Sequence, residues 1–192
     1  MGISGCSPTD TGTPPPSTLP GLAATPSTTT TEPSSSAKAE AADYLPLLLT
    51  AADLSDADDT FSERSKGSQP NGVAGASAFF VNDQDTRAIS DTVLIYPDAA
   101  TATATLRQAS GTLTTLVAGG TPTPVPVGTD GVMISGKHPD DDKAVTLLFF
   151  TEGRALVRLE FQSATGDPTT DRFVTSIGKT QAIALRVGLA AP

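Results

Sequence analysis

The sequence predicts an α+β fold, an antiparallel sheet with helices packed on one or both faces, preceded by a disordered stalk. Three features carry that expectation. Ala144 to Phe150 and Arg154 to Phe161 read as strands joined by the short glycine-containing connection Thr151-Glu152-Gly153, the clearest hairpin in the chain. Leu106, Leu113, Leu116 and Val117 share one helical face between a capping residue, Asp98, and the stop signal Gly119-Gly120. Helical and strand segments do not alternate in the rhythm of a parallel sheet, so antiparallel pairing with helices laid on the sheet is the economical arrangement.

Taken in order, the folded region is expected over 39–192, where Ala, Glu and Lys replace Thr and Pro. A short amphipathic helix is expected over Ala39 to Leu45, then Leu47-Leu48-Leu49 as a buried segment after Pro46, and a helical turn over Thr50 to Leu54. Asp56 to Pro70 is polar and rich in breakers and reads as a loop. Ala76 to Val81 and Ser90 to Tyr96 are apolar and β-branched and read as strands, the second expected to be covered on both faces. After the central helix, Val125 to Val127 and Gly131 to Ser135 add strands ahead of the hairpin. In its second arm Ala155, Val157, Leu159 and Phe161 point inward, while Arg154, Arg158 and Glu160 point to a wet face. Asp167-Pro168 opens a last helix whose stripe is Phe173, Ile177, Ala184 and Leu185.

Composition excludes several kinds of chemistry. The net charge is −9 and the twelve Lys and Arg are scattered, which argues against a nucleic-acid partner. One cysteine and one histidine cannot supply an internal disulfide or a Cys/His zinc site. His138, in Gly136-Lys137-His138-Pro139-Asp140-Asp141-Asp142, reads as a solvated loop residue, and no Gly-x-Ser-x-Gly elbow accompanies it. The acidic groups Asp53, Asp56, Asp58 and Asp59 and the run Asp140 to Asp142 lack the spacing of a calcium loop and read as exposed acids. No catalytic residue, metal or cofactor is therefore expected. The small residues Ala76, Ala78, Ala102 and Ala104 either let the layers pack closely or leave room for an apolar ligand.

The amino end points to the cell envelope. Ile3-Ser4-Gly5-Cys6 resembles the bacterial lipobox, so residues 1–6 are read as a lipobox remnant. That resemblance implies a diacylglycerol on the Cys6 thiol, with palmitate-class chains, cleavage before Cys6, and a protein secreted to the outer face of the cytoplasmic membrane. No charged and apolar signal region precedes the motif, which implies a shortened or misassigned start. N-myristoylation at Gly2 and a chance cysteine are competing readings; the segment that follows favours the lipobox. Over 7–38 Ser, Thr and Pro dominate, with Pro14-Pro15-Pro16 and Thr28 to Thr31, and too few apolar groups to offset the entropy of ordering. Such a stalk resembles those of mycobacterial lipoproteins, which are often glycosylated.

Within the folded region, Asp91-Thr92-Val93-Leu94-Ile95-Tyr96-Pro97-Asp98-Ala99-Ala100 resembles the strand-to-helix junction of PknH-type extracellular sensor domains and their lipoprotein relatives. The disulfide cysteines and tryptophan of that family have no counterpart here, and no functional residue carries over. The element order is also similar to PsbP-like α/β/α lipoprotein domains. Anchor, stalk and missing catalytic groups together predict a lipid-tethered binding module for an envelope lipid, a cell-wall component or a protein partner. The alternative is an envelope hydrolase using the loop carboxylates.

Overall fold

The computed structural model describes residues 43–189; Cys6, the segment 7–38 expected to be a stalk and residues 39–42 lie outside the described residues. Seven strands form one antiparallel sheet: β1 (Phe61–Ser68), β2 (Gly75–Asn82), β3 (Ala88–Ile95), β4 (Thr123–Pro124), β5 (Thr129–Lys137), β6 (Lys143–Glu152) and β7 (Ala155–Ala164). Their spatial order is β1-β2-β3-β7-β6-β5-β4, two meanders meeting where β3 pairs with β7. The helices are α1 (Ala51–Leu54), α2 (Ala99–Ser110), α3 (Leu113–Leu116) and α4 (Asp171–Gly188).

Alternation divides the side chains between two faces. On the inner face, Phe80, Val93, Leu148, Phe150, Leu159 and Phe161 are buried with Val174, Ile177 and Leu185 of α4 and with Leu47, Leu48, Leu49 and Leu54. On the outer face a smaller cluster joins Val145, Leu147, Phe149 and Leu156 to Leu106 of α2, Leu113 of α3 and Val117. β6 lies between both clusters and is buried without interruption from Ala144 to Thr151. The α+β architecture expected from the sequence is the one observed, with helices on both faces.

Several local expectations are corrected. Asp56 to Pro70 is not a loop throughout, because Phe61–Ser68 pairs with β2 as an edge strand. Its side chains beyond Phe61 face water, so it carries no apolar alternation to read, and pairing along one edge is enough to hold it. The helix expected over Ala39 to Leu45 lies mostly outside the described residues; its described end runs into a 3-10 turn over Leu45–Leu47, and Leu47, Leu48 and Leu49 are buried as expected. The central helix breaks after Ser110 at Gly111-Thr112, and this turns Leu116 outward while Leu113 and Val117 stay in the core. Val125 to Val127 is not a strand; Thr123–Pro124 makes that pairing with β5.

The outer residues of β3, Ser90, Thr92 and Leu94, are only half-buried, so β3 is covered on its inner face alone. On β7 the reverse correction applies: Leu156 is buried under the α2 cluster, and Arg158 and Glu160 are half-buried rather than wet. The β6–β7 connection is the two-residue Gly153-Arg154, with Glu152 still paired to Ala155 and Gly153 at φ 55°, a conformation glycine adopts without strain. Thr170, not Asp167, caps α4 by accepting from the Phe173 amide at 3.3 Å.

Candidate binding surface

Helix α2 packs over β5, β6 and β7 and stops there. The outer face of β1, β2 and β3 carries no fully buried side chain; Ser62, Ser65, Ser77, Phe79, Ser90 and Thr92 are all exposed or half-exposed. Phe79 is 36% exposed near the middle of this open half. Its neighbour Phe80 is fully buried, since adjacent residues on a strand face opposite ways.

β7 forms the boundary between the open and covered halves, and its outer residues make a polar ladder. The Arg158 guanidinium donates to Glu160 Oε2, Gln162 Nε2 donates to Glu160 Oε1 at 2.6 Å, and Lys143 Nζ donates to Gln162 Oε1 at 3.4 Å. The register places the ladder in rows with the open half: Ser77, Thr92 and Arg158 in one, Phe79, Ser90 and Glu160 in the next. The Glu160 side chain is 13% exposed and the Arg158 side chain 42%, so the acid is held closer to the sheet than the arginine, whose Nε is nonetheless buried. Hydroxyls, an amide, an ion pair and one phenyl ring thus share one face suited to hydrogen-bonded and stacking contacts.

At the end of the sheet a cleft of about 190 Å³ lies between Asp56–Phe61, Arg87–Ile89 and the start of α4. Phe61, Ile89 and Phe173 contribute its apolar lining, and Asp56, Asp58, Asp59 and Asp167 its acids. Arg87 joins two of these, reaching Asp59 at 3.2 Å through Nε and Asp167 through its terminal nitrogen. Fully buried Asn82 fixes the arrangement, donating to Asp59 Oδ1 at 2.7 Å and accepting from the Thr86 and Arg87 amides at 2.9 Å. Asp56 accepts from the Asp59 and Asp58 amides, and these bonds hold its carboxyl below the usual carboxylate range.

The other candidates disperse. Asp53 is engaged in the α1 capping box with Thr50, and Asp142 accepts from Thr165 Oγ1 at 2.8 Å. His138 Nδ1 accepts from the Asp140 and Asp141 amides at 3.2 and 3.1 Å, which ties the ring to its own loop. Among the described residues no group of three or more His, Cys, Asp or Glu is placed to hold a metal ion. Ala76 and Ala78 lie in the inner-face core with Leu47–Leu49, whereas Ala102 is buried on α2 and Ala104 is exposed. The four alanines therefore do not line one chamber.

The comparison with solved structures bears on the fold. The chain is similar to the extracellular domain of PknH from Mycobacterium tuberculosis, with a TM-score of 0.50 and 9% identity, over 74% of this chain and 92% of that one. At that identity the likeness is one of fold. No family model matches the sequence, and no curated protein matches it.

Two signals for the open face were present in the sequence. The pair Phe79-Phe80 on one strand obliges one ring to face outward, and Arg158, Glu160 and Gln162 recur with a period of two. Arg87 gave no such signal, because its partners lie 28 residues before and 80 residues after it in the chain.

Proposed function

We propose that this chain is the binding module of an extracytoplasmic protein, tethered by a lipid on Cys6 to the outer face of a bacterial cytoplasmic membrane. In this reading it recognises a cell-wall component or a protein partner through the open half of its sheet. The observation that carries the reading is the outer face of β1–β3, which no element among the described residues covers, bordered by the Arg158–Glu160–Gln162 ladder. An aromatic centre among polar side chains suits a partner that brings hydrogen-bonding groups; an acyl chain would instead require an enclosed apolar chamber. The shared fold with an extracellular mycobacterial domain supports the location, as does the lipobox-like Ile3-Ser4-Gly5-Cys6. A hydrolase of this kind needs a carboxylic acid kept protonated in an open groove, and the Asp56 carboxyl in the cleft is instead held below its usual range by the Asp58 and Asp59 amides.

Photo-crosslinking tests this in cells that express the protein with an export signal. Crosslinkers at Ser77, Phe79 and Thr92 should capture a cell-wall fragment or an envelope protein, while crosslinkers at Ile183 and Val187, on the exposed side of α4, should not. Cys6→Ala should release the protein from membranes. Capture from α4 but not from the sheet would overturn the assigned surface, and unchanged membrane association of the Cys6 variant would overturn the anchor.

A further inference from the structure

Asp91 is a fully buried carboxyl on the inner face of β3, remote from the open surface. Its Oδ2 accepts from the Leu49 amide at 2.9 Å. Two residues earlier, the Leu47 carbonyl accepts from the Nε2 of fully buried Gln181 on α4 at 2.8 Å. A central strand and the long helix therefore grip one tripeptide, Leu47–Leu49, at its two ends. Each grip leaves a buried oxygen without a partner: Asp91 Oδ1 and Gln181 Oε1. Backbone donors or water ordinarily satisfy such atoms, and an ionised carboxylate has no proton of its own to offer.

The surroundings give the charge little compensation. Lys66 on β1 stands in the same cross-sheet row, separated from Asp91 by Ala78, and its ammonium is shared with Glu63 at 3.8 Å. β2 presents Ala76, Ala78 and Phe80 to this face, β7 presents Val157, Leu159 and Phe161, and the buried side of α4 presents Val174, Ile177, Gln181, Ala182 and Leu185. Apart from Lys66 and Glu63, none of these residues is charged. Burial pushes the Asp91 carboxyl up to about 7, against smaller opposing effects of the Leu49 amide and Lys66.

We propose that Asp91 is a proton-operated latch on Leu47–Leu49, the segment through which the chain enters the domain: protonated, it holds the segment down, and ionised, it loosens it. The proton removes the charge from a buried carboxyl whose Oδ1 has no partner, while Oδ2 keeps the Leu49 bond. Losing it leaves an anion beneath three buried leucines, a charge relieved when water enters and the segment lifts. Because the folded value lies above the ordinary 3.8, the latch is fully closed below that pH and weakens as pH rises to about 7.

Hydrogen exchange on the full chain between pH 5 and 8.5, corrected for intrinsic rates, tests the latch. Protection of the Leu47–Leu54 amides relative to those of β6 and β7 should fall at least about tenfold across the range. Asp91→Asn should abolish that dependence. Unchanged relative protection in the wild type, or the same dependence in the variant, overturns the proposal. If the asparagine variant does not fold, the Asp91 carboxyl carbon is followed by NMR in the wild type and in Lys66→Gln. A midpoint near neutrality that rises on loss of the Lys66 charge sustains the latch, and a midpoint in the ordinary carboxylate range refutes it.

Discussion

Replacing Leu159 by alanine removes three carbons from a side chain with no exposed surface, in the row of β7 that joins Asp91 on one side to Leu148 on the other. At about 0.8 kcal/mol per carbon group, the lost transfer energy is about 2.4 kcal/mol. The walls of the vacated space are a seven-stranded sheet and an 18-residue helix, which relax only in part, so the cavity should raise the cost to about 3–5 kcal/mol. Arg158, the next residue on the opposite face, has a 42% exposed side chain. Arg158→Ala removes the partner of Glu160, but Gln162 still donates to that carboxylate, so a loss of about 1 kcal/mol is expected. Urea unfolding monitored by circular dichroism would separate the two: at a slope of about 2 kcal/mol per molar, the midpoint should drop by about 1.5–2.5 M for Leu159→Ala and about 0.5 M for Arg158→Ala. Equal drops, or a larger one for Arg158→Ala, would refute the assignment of inner and outer faces.

Substitutions at two further positions test local geometry. Gly75 has φ 147°, and an added Cβ would sit 2.1 Å from the Val93 carbonyl oxygen, so Gly75→Ala should cost at least about 2–3 kcal/mol and lower the melting temperature by several degrees in calorimetry. At the start of α4, Thr170→Ala should cost about 1 kcal/mol through loss of the cap, whereas Thr170→Ser, which keeps the hydroxyl, should cost much less; equal losses in thermal unfolding would refute the cap.

How far the chain announces its fold depends on how local the deciding interaction is. The strand-to-helix junction from Asp91 to Ala100 was readable because strand propensity, Pro97 and the Asp98 cap lie together; Asp98 accepts from the Thr101 amide at 2.7 Å. β1 was not readable, since Phe61 is its one buried residue and the ladder to β2 holds it in place. Asp91 itself left a trace: it shares parity with Val93 and Ile95 and so belongs to the inner face, but its partner Leu49 is 42 residues away. The Arg158–Glu160–Gln162 ladder was visible as alternation, whereas the absence of a helix over the neighbouring strands among the described residues was not.

The sequence by itself determined the class of the fold, the inner stripe of β7, the central hairpin and the poverty of catalytic groups, because alternation, turn chemistry and composition act over a few residues. Tertiary structure alone decided which half of the outer face stays open, where Arg87 finds its acids, and that a carboxyl lies beneath Leu47–Leu49. Those outcomes turn on where α2 ends and how two meanders join at β3 and β7. Burial and charge pairing between distant segments are fixed by packing, and no short window of residues contains both partners.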